Sequence, residues 1–369
     1  MAPSTSKAVI IGESKKPIVA KVLRPIPQPE YLLVRVMAVA LNPIDYQQIE
    51  LKAGDVGCRV GCDYAGVVHK VPEEDQEGDW QEGDRIMGWV HGCNRANYET
   101  GAFSEYIVVR AMLQSRIPDN MSFAEAATLG ISMVAVSLGM FNRLELPLPS
   151  LPSLPSSAAL SAERPLSLLI CGGSTASGMA GIQFAKLAGI IVIATCSPHN
   201  FYLVRNLGAD AVFDYHSPTC GADIKRLTRN GLCRAWDCTG KNLDLCAAAM
   251  SDDKPGLYAS LDCNDPLADS ARLAGMNRMV EYQEVVRCWD ALGDFYFWYG
   301  RNAMYPDPSE MEFYRQFLRL SQPFLEAGLV RPPRMKMNML GSGLDGVHMG
   351  LTYMLRGGKV SGEKLVYTL

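Results

Sequence analysis

Hydrophobic and polar positions alternate through EYLLVRVMAVA (30–40) before the pattern turns wholly apolar, which predicts a strand half buried in a sheet. LNPIDYQQ follows, and its Asn42-Pro43 pair starts a turn. GCDYAGVV (61–68) sets small residues beside a β-branched pair. GDWQEGDRIMGWV (78–90) predicts a turn and then a strand, and GAFSEYIVVR (101–110) a further strand. Short strands parted by glycine-rich turns over roughly the first 110 residues predict a β-rich, barrel-like domain.

The pattern changes at residue 122. SFAEAATLGISMVAVSLGMF opens with Ser122 and Glu125 at the spacing of a capping box, and small residues then dominate, as they do where helices pack closely. LPLPSLPSLPSSAALSAERP (146–165) has no period and is rich in Pro and Ser, which predicts a surface loop. From 166 onward strand and helix patterns alternate. LSLLICGG leads through a helix to IIVIATCS, helical NFYLVRNLGA to AVFDY, IKRLTRNGL to CRAWDC, and LDLCAAAM to GLYASL. This βα alternation predicts a parallel, doubly wound sheet covered on both faces. After 330, SGLDGVHMGLTYMLRGGKVSGEKLVYTL predicts one helix and a closing strand that returns to the edge of the first domain. The fold class is α/β, with a β-rich domain over 1–135 and 331–369 and a parallel-sheet domain over 136–330.

Composition bounds the function. At 369 residues and 48% hydrophobic, the chain exceeds one ordinary core, so two domains are expected. Its 35 basic and 39 acidic side chains leave a net charge of −4, without the basic tract that nucleic acid requires. No run approaches the ~18 apolar residues of a membrane span, and MAPSTSKAVIIGESKK lacks the apolar block of a signal peptide. A soluble cytoplasmic protein is expected. The eleven cysteines include no C-x-x-C pair, and Cys58, Cys62 and Cys93 with His91 form the one loose cluster. Free, partly buried thiols in a reducing compartment are expected, and no metal. The polar DCNDPLADSARLAG after GLYASL reads as irregular and poor for edge-to-edge pairing, which predicts a monomer.

The candidate chemistry begins at LICGGSTASGMAGIQFAKLAG (169–189), a strand, a glycine turn and a helix. A dinucleotide fold needs glycine for the sharp turn and amides at the helix N-terminus for the pyrophosphate. Here the register is Gly173-x-Thr175-x-x-Gly178, with Gly172 before it and Thr175 in the place of the usual middle glycine. The hydroxyls of Ser174 and Thr175 are expected to donate in compensation. A tight βα turn without a ligand is the alternative. The next strand ends Ala194-Thr195-Cys196-Ser197-Pro198-His199-Asn200, with no carboxylate to accept from a ribose 2′-hydroxyl or to repel a 2′-phosphate. Ser197, His199 and Asn200 donate, and Tyr215 at the end of FDY is placed to close the same pocket. NADPH is therefore expected over NADH.

On AVALNPIDYQ, GCDYAGVV, EGDRIMGWV, GAFSEYIVV, GGSTASGMAGIQFAKLAG, LGADAVFDY and GGKVSGEKLVYTL the chain resembles the medium-chain dehydrogenase/reductases over nearly its whole length. GGSTAS, IATCSPHN, GAFSEY and SGEKLV resemble the fungal trans-acting enoyl reductases of the lovastatin-pathway type, which serve iterative polyketide synthases. The resemblance implies a GroES-like catalytic domain, a Rossmann domain, and reduction of an α,β double bond by hydride from NADPH. The acyl substrate would be tethered to the acyl carrier protein of a partner polyketide synthase, or of a synthase–peptide synthetase hybrid. Where zinc alcohol dehydrogenases carry Cys and Gly-His-Glu, this chain reads Asn42-Pro43 and Gly61-Cys62-Asp63, and the structural-zinc lobe is missing, which points to the zinc-free branch.

Family position places Ile44, Asp45, Tyr46 and Gln47 beside the nicotinamide, with Tyr46 and Gln47 as catalytic candidates. It adds Ser260, Leu261, Ser361, Gly362 and Pro198 to the cofactor set. Some relatives have Lys where Gln47 stands, so the proton for the α-carbon is expected from Tyr46 or solvent; a wall of the cofactor pocket is the alternative role for Tyr46. The resemblance also implies a substrate channel between the domains. One side is Ile131, Ser132, Met133 and Val134, continuing through Ala135, Val136, Ser137 and Leu138. The other is Ala291, Leu292, Gly293, Asp294 and Phe295, with Tyr296 and Phe297 as an apolar wall. Plain interdomain packing is the alternative for both. Two other classes fit the same motifs: a quinone or alkenal reductase of free small molecules, and a non-catalytic NADPH-binding member.

Overall fold

A computed structural model describes residues 4–72, 79–150, 166–262, 266–283, 285–298 and 301–369. Contacts divide the chain into two units. The first holds Met1–Ile131, Trp289–Glu326 and Pro332–Leu369; the second holds Ser132–Cys288 and Ala327–Arg331.

The first unit is built on a seven-stranded sheet. Its path runs Arg334–Met337, Glu363–Thr368, Tyr31–Ala40, Asp63–Lys70, Arg85–Trp89 and Ser115–Arg116, and Tyr106–Arg110 pairs separately with Tyr31–Ala40. The long Tyr31–Ala40 strand has three partners because one edge pairs with Asp63–Lys70 while the other is shared, Tyr106–Arg110 pairing at 31–35 and Glu363–Thr368 at 38–40; the pairing with Asp63–Lys70 is interrupted at Leu33/Val34 and Val36/Ala38. Such interruptions bend a strand and increase its twist. Val9, Leu32, Val34, Tyr64, Phe103 and Tyr367 are fully buried in its core. The closing strand does return to this sheet, but not to its edge. Glu363–Thr368 pairs antiparallel with Tyr31–Ala40 on one side and parallel with Arg334–Met337 on the other.

Residues 289–326, which the helix-and-strand alternation assigned to the parallel-sheet domain, group with the first unit. Trp289 stacks on His91 with ring centroids 4.1 Å apart, and the Trp89 indole donates to the Tyr314 hydroxyl at 3.1 Å. Aromatic packing across more than 200 residues of sequence leaves no periodic signal.

The second unit is a six-stranded parallel sheet in the order Ala211–Phe213, Ile191–Thr195, Ser167–Cys171, Arg234–Asp237, Gly256–Ser260, Val280–Tyr282. The order reverses between Ser167–Cys171 and Arg234–Asp237, and a ligand crevice forms at such a switch point beyond the carboxyl ends of the strands. All six strands are parallel, which requires burial on both faces and explains the continuous apolar runs of Ser167–Cys171 and Ile191–Thr195. The stretch after GLYASL is not irregular where it is described. Pro266–Met276 is helical and delivers Val280–Tyr282 to the sheet edge. Of the Pro/Ser-rich stretch, 146–150 lies outside regular structure and 151–165 falls outside the described residues.

The capping box at Ser122 and Glu125 is formed in both directions. The helical stretch it opens, Phe123–Arg143, is long and apolar enough to cross a membrane by length and composition, which corrects the expectation that no run approaches that length. Its window is 78% buried inside the protein, so packing accounts for the apolarity. Within it, Gly139 lies under the Trp236 indole, where a Cβ would meet Nε1 at 2.5 Å.

Candidate active site

The glycine turn is held shut by the neighbouring strand. Both Gly172 N and Gly173 N donate to Thr195 O, at 3.1 and 2.8 Å. Gly172 has φ +81°, a conformation that glycine adopts without strain. A Cβ on Gly178 would sit 2.3 Å from Gly172 O and 2.9 Å from Gly173 Cα, so only glycine lets the helix Ala176–Leu187 start this close to the turn. Thr175 does not compensate for the missing middle glycine by donating to a phosphate. Its hydroxyl donates to Gly172 O at 2.8 Å and accepts from Gly178 N at 3.0 Å, capping the helix. The cap satisfies Gly178 and leaves the amides of Ala176 and Ser177 without intrahelical acceptors, the arrangement a pyrophosphate binds. Thr195 Oγ1, fully buried at the end of its strand, has no protein partner. The cradle and this orphaned hydroxyl fit a dinucleotide.

At the strand end offered by the sequence for the ribose, the structure brings Ser197 and Tyr215 together. Ser197 Oγ lies 3.4 Å from the Tyr215 hydroxyl, and the Tyr215 ring packs against His216 with centroids 4.0 Å apart and planes tilted by 32°. Asn200 is buried, while Pro198 and His199 are exposed in the short turn Pro198–Asn200. The nearby Asp214 carboxylate accepts from His216 N at 3.0 Å and contacts His216 Nδ1 at 2.9 Å. These bonds hold its carboxyl below the usual range, the backbone amide first.

One component went unseen in the sequence. Asp237 ends the fourth strand, is fully buried, and organises the loop Cys238 to Asn242. Its carboxylate accepts from Thr239 N, Thr239 Oγ1, Asn242 N, Asn242 Nδ2 and the Tyr258 hydroxyl at 2.6–3.3 Å. The loop packs on the glycine turn, since a Cβ on Gly172 would meet Thr239 Cγ2 at 2.8 Å. The signal was an Asp at a strand end followed by Thr239 and Gly240. Ser260 closes the fifth strand, donating to Asp262 O at 2.6 Å, and Leu261 N donates to Asp237 O at 3.0 Å.

In the first unit, Ile44, Asp45, Tyr46 and Gln47 share the helix Pro43–Glu50. Tyr46 is half-buried against the sheet core, and Ile44 and Gln47 are likewise half-buried. Asp45 differs from these three. It is fully buried, accepts from Asn42 N at 2.7 Å, and closes a reciprocal cap. Asn42 Oδ1 and Asp63 Oδ2 both accept from the buried Lys364 ammonium, at 2.9 and 2.5 Å. Gly362 (φ +68°) and Ser361 lead into that strand, so the unit brings 361–364 beside the 42–47 turn.

Burial pushes the Asp45 carboxyl up to about 7, against the lowering effect of the Cys62 thiol and the Asn42 amide. The folded chain therefore holds this proton more tightly than the unfolded chain. The stability it contributes is fully present below the unfolded value near 4 and is lost as pH rises through about 7. Asp45→Asn keeps an acceptor for Asn42 N and has no charge to desolvate. Its stability relative to wild type should rise by about 2 to 3 kcal/mol between pH 5 and pH 8, read from urea midpoints. His91 titrates in the opposite sense, being pushed down to about 3 by burial, but it is present in both proteins and cancels. A difference independent of pH would contradict this reading of Asp45.

The stretch 131–138 divides between the units. Ile131 is half-buried in the first, and its amide donates to Asp63 Oδ1 at 2.6 Å. Ser132, Met133, Val134, Ala135, Val136, Ser137 and Leu138 belong to the second and are buried, with the Ser132 and Ser137 hydroxyls lacking protein partners. Ala291, Leu292, Gly293, Asp294 and Phe295 belong to the first unit. There Asp294 pairs with Arg110 at 2.7 Å, and Phe295 contacts Phe297 and Tyr305. Cys58, Cys62 and Cys93 are all buried, and burial raises each thiol above its usual range. Among the described residues, no three His, Cys, Asp or Glu side chains converge as a metal-holding set.

Residues 28–119 match the family described as alcohol dehydrogenase GroES-like domain, and 176–255 match zinc-binding dehydrogenase. The trans-enoyl reductase resD of Aspergillus sclerotiorum is 39% identical over 93% of this chain and 95% of its own. The trans-enoyl reductase mycC of Thermothelomyces thermophilus is 36% identical over 100% and 98%. Among solved structures, an alcohol dehydrogenase superfamily protein from Novosphingobium aromaticivorans superposes with a TM-score of 0.77 at 20% identity, covering 99% of this chain and 100% of its own. The CurK enoyl reductase does so with a TM-score of 0.73 at 17% identity, covering 100% and 99%.

Proposed function

This chain belongs to the trans-enoyl reductases, oxidoreductases of the medium-chain dehydrogenase/reductase superfamily, and from that premise we propose that it takes NADPH and acts in trans on a polyketide synthase. The substrate is an α,β-unsaturated acyl group held on the synthase's acyl carrier protein. The observation that carries NADPH is the strand end after Thr195, where the Ser197 and Tyr215 hydroxyls meet at 3.4 Å and residues 195–200 include no carboxylate. NADPH, when bound, supplies a hydride for the β-carbon of the conjugated thioester. The chain's own part is placement and polarity. The amides of the first turn of Ala176–Leu187 bind phosphate, and Ser197 with Tyr215 binds the 2′-phosphate. The α-carbon receives its proton from the Tyr46 hydroxyl or from solvent, because Gln47 has no acidic proton to give. The names of the relatives support the enoyl substrate. The free thiols of all ten described cysteines support a reducing, cytoplasmic setting.

Ser197→Asp tests the pocket. A carboxylate there repels a 2′-phosphate and accepts from a ribose 2′-hydroxyl. In fluorescence titrations the wild type should bind NADPH more tightly than NADH. The variant should lose about tenfold or more in NADPH affinity while NADH affinity holds or improves. Equal dissociation constants for the two cofactors in the wild type would overturn the NADPH assignment.

A further inference from the structure

The buried Lys364 ammonium belongs to no step of the proposed reaction, yet its coordination is complete. Its side chain is 4% exposed and that of its partner Asp63 is 0% exposed. Three donors meet three acceptors: Asn42 Oδ1 at 2.9 Å, Asp63 Oδ2 at 2.5 Å and Thr128 O at 3.2 Å. Asp63 in turn accepts from Asn42 Nδ2 at 2.9 Å and from Ile131 N at 2.6 Å. One ammonium and one carboxylate therefore fasten the turn that opens Pro43–Glu50, the start of Asp63–Lys70, the helical stretch at 128–131 and the strand Glu363–Thr368. The first of these carries Ile44, Tyr46 and Gln47, and the third ends on Ile131.

Buried ion pairs are a weak source of stability, since desolvation offsets the attraction and apolar replacements often serve as well. What this pair supplies is direction. Two charged groups with five hydrogen bonds between and around them tie the helix start at 43 and the 128–131 segment to strand ends that backbone pairing already holds in register, Ala40 with Asp63 and Val366 with Ala40. We propose that Lys364 is a positioning residue: through Asn42 and Asp63 it sets the 42–47 turn and the 128–131 segment in register for catalysis. The proposal rests on the enoyl reductase reading given above. Phosphate binding at the glycine turn does not depend on it, because that turn is built from the other unit.

The test compares wild type with Lys364→Met and with the charge-balanced, apolar pair Lys364→Met with Asp63→Leu, which keeps the fold accessible if the single variant fails to fold. In the folded double variant, kcat for an enoyl thioester should fall by about a hundredfold, the scale of a 1 Å misplacement, while the dissociation constant for NADPH, held through its phosphates by the other unit, should rise by much less, under about tenfold. Amide exchange over 43–51 should accelerate. A double variant with wild-type kcat and unchanged exchange overturns the proposal. If the wild type itself reduces no enoyl thioester, the enoyl reductase reading fails, and exchange over 43–51 alone decides: acceleration supports the positioning role and unchanged exchange overturns it.

Discussion

Gly178→Ala should reduce NADPH affinity on the order of a hundredfold, about 2.7 kcal/mol, while its counterpart Gly275→Ala leaves it unchanged. The added methyl group meets only backbone: Gly172 O at 2.3 Å, Gly173 Cα at 2.9 Å and Gly172 C at 3.0 Å. None of these is the far end of a flexible side chain, so the helix Ala176–Leu187 must back away from the turn. Backing away breaks the Thr175 cap on Gly178 N and carries the first-turn amides off the pyrophosphate position. The cap alone is worth about 1 kcal/mol to the helix, so the melting temperature should fall as well. Gly275 is the control because nothing lies within 4 Å of its added Cβ and it sits in the helix Pro266–Met276, where alanine is the better former. Isothermal titration with NADPH measures both. Equal affinities for Gly178→Ala and wild type would remove the glycine turn from the cofactor site.

Asp237→Ala should cost about 3 to 5 kcal/mol of stability. The carboxylate is fully buried and takes five hydrogen bonds from Thr239, Asn242 and Tyr258. Alanine leaves these donors buried without acceptors, and an unsatisfied buried donor costs about 1 to 3 kcal/mol. Loss of the loop also withdraws the Thr239 methyl from Gly172, so NADPH affinity should fall with stability. Asp237→Asn should lie between, since its amide keeps one accepting oxygen but turns an NH2 donor toward other donors. Denaturant midpoints with and without NADPH provide the reading. An Asp237→Ala protein within about 1 kcal/mol of wild type would show that the loop finds other acceptors.

The parallel-sheet unit was the more legible of the two. Its central strands are short apolar runs, and consecutive strands are spatial neighbours except at the crossover from Ala211–Phe213 to Arg234–Asp237, so local pattern carries most of the topology. Gly172, Gly178, Ser197 and Tyr215 stand out because a sharp turn and a strand end need particular residue types. The first unit hides its site. Asn42 and Asp63 could be read only as places without zinc ligands, and Lys364 as a charge on an edge strand. Lys364 and Asp63 are 301 residues apart, and nothing in either local pattern says that they meet. Asp45 was placed beside the nicotinamide by family position, and its buried capping role shows only in three dimensions. Thr175 stood out at the right place for the wrong reason: its hydroxyl serves the helix, not a phosphate.

As proposed, this chain delivers hydride to the β-carbon of a tethered enoyl group. Incubation with 4-deuterated NADPH and an α,β-unsaturated acyl chain on a carrier protein, or on its pantetheine mimic, tests it directly. The expected result is a saturated product labelled at the β-carbon only, with turnover unchanged by a metal chelator. Rapid turnover of simple quinones with no reduction of any tethered enoyl chain would contradict it.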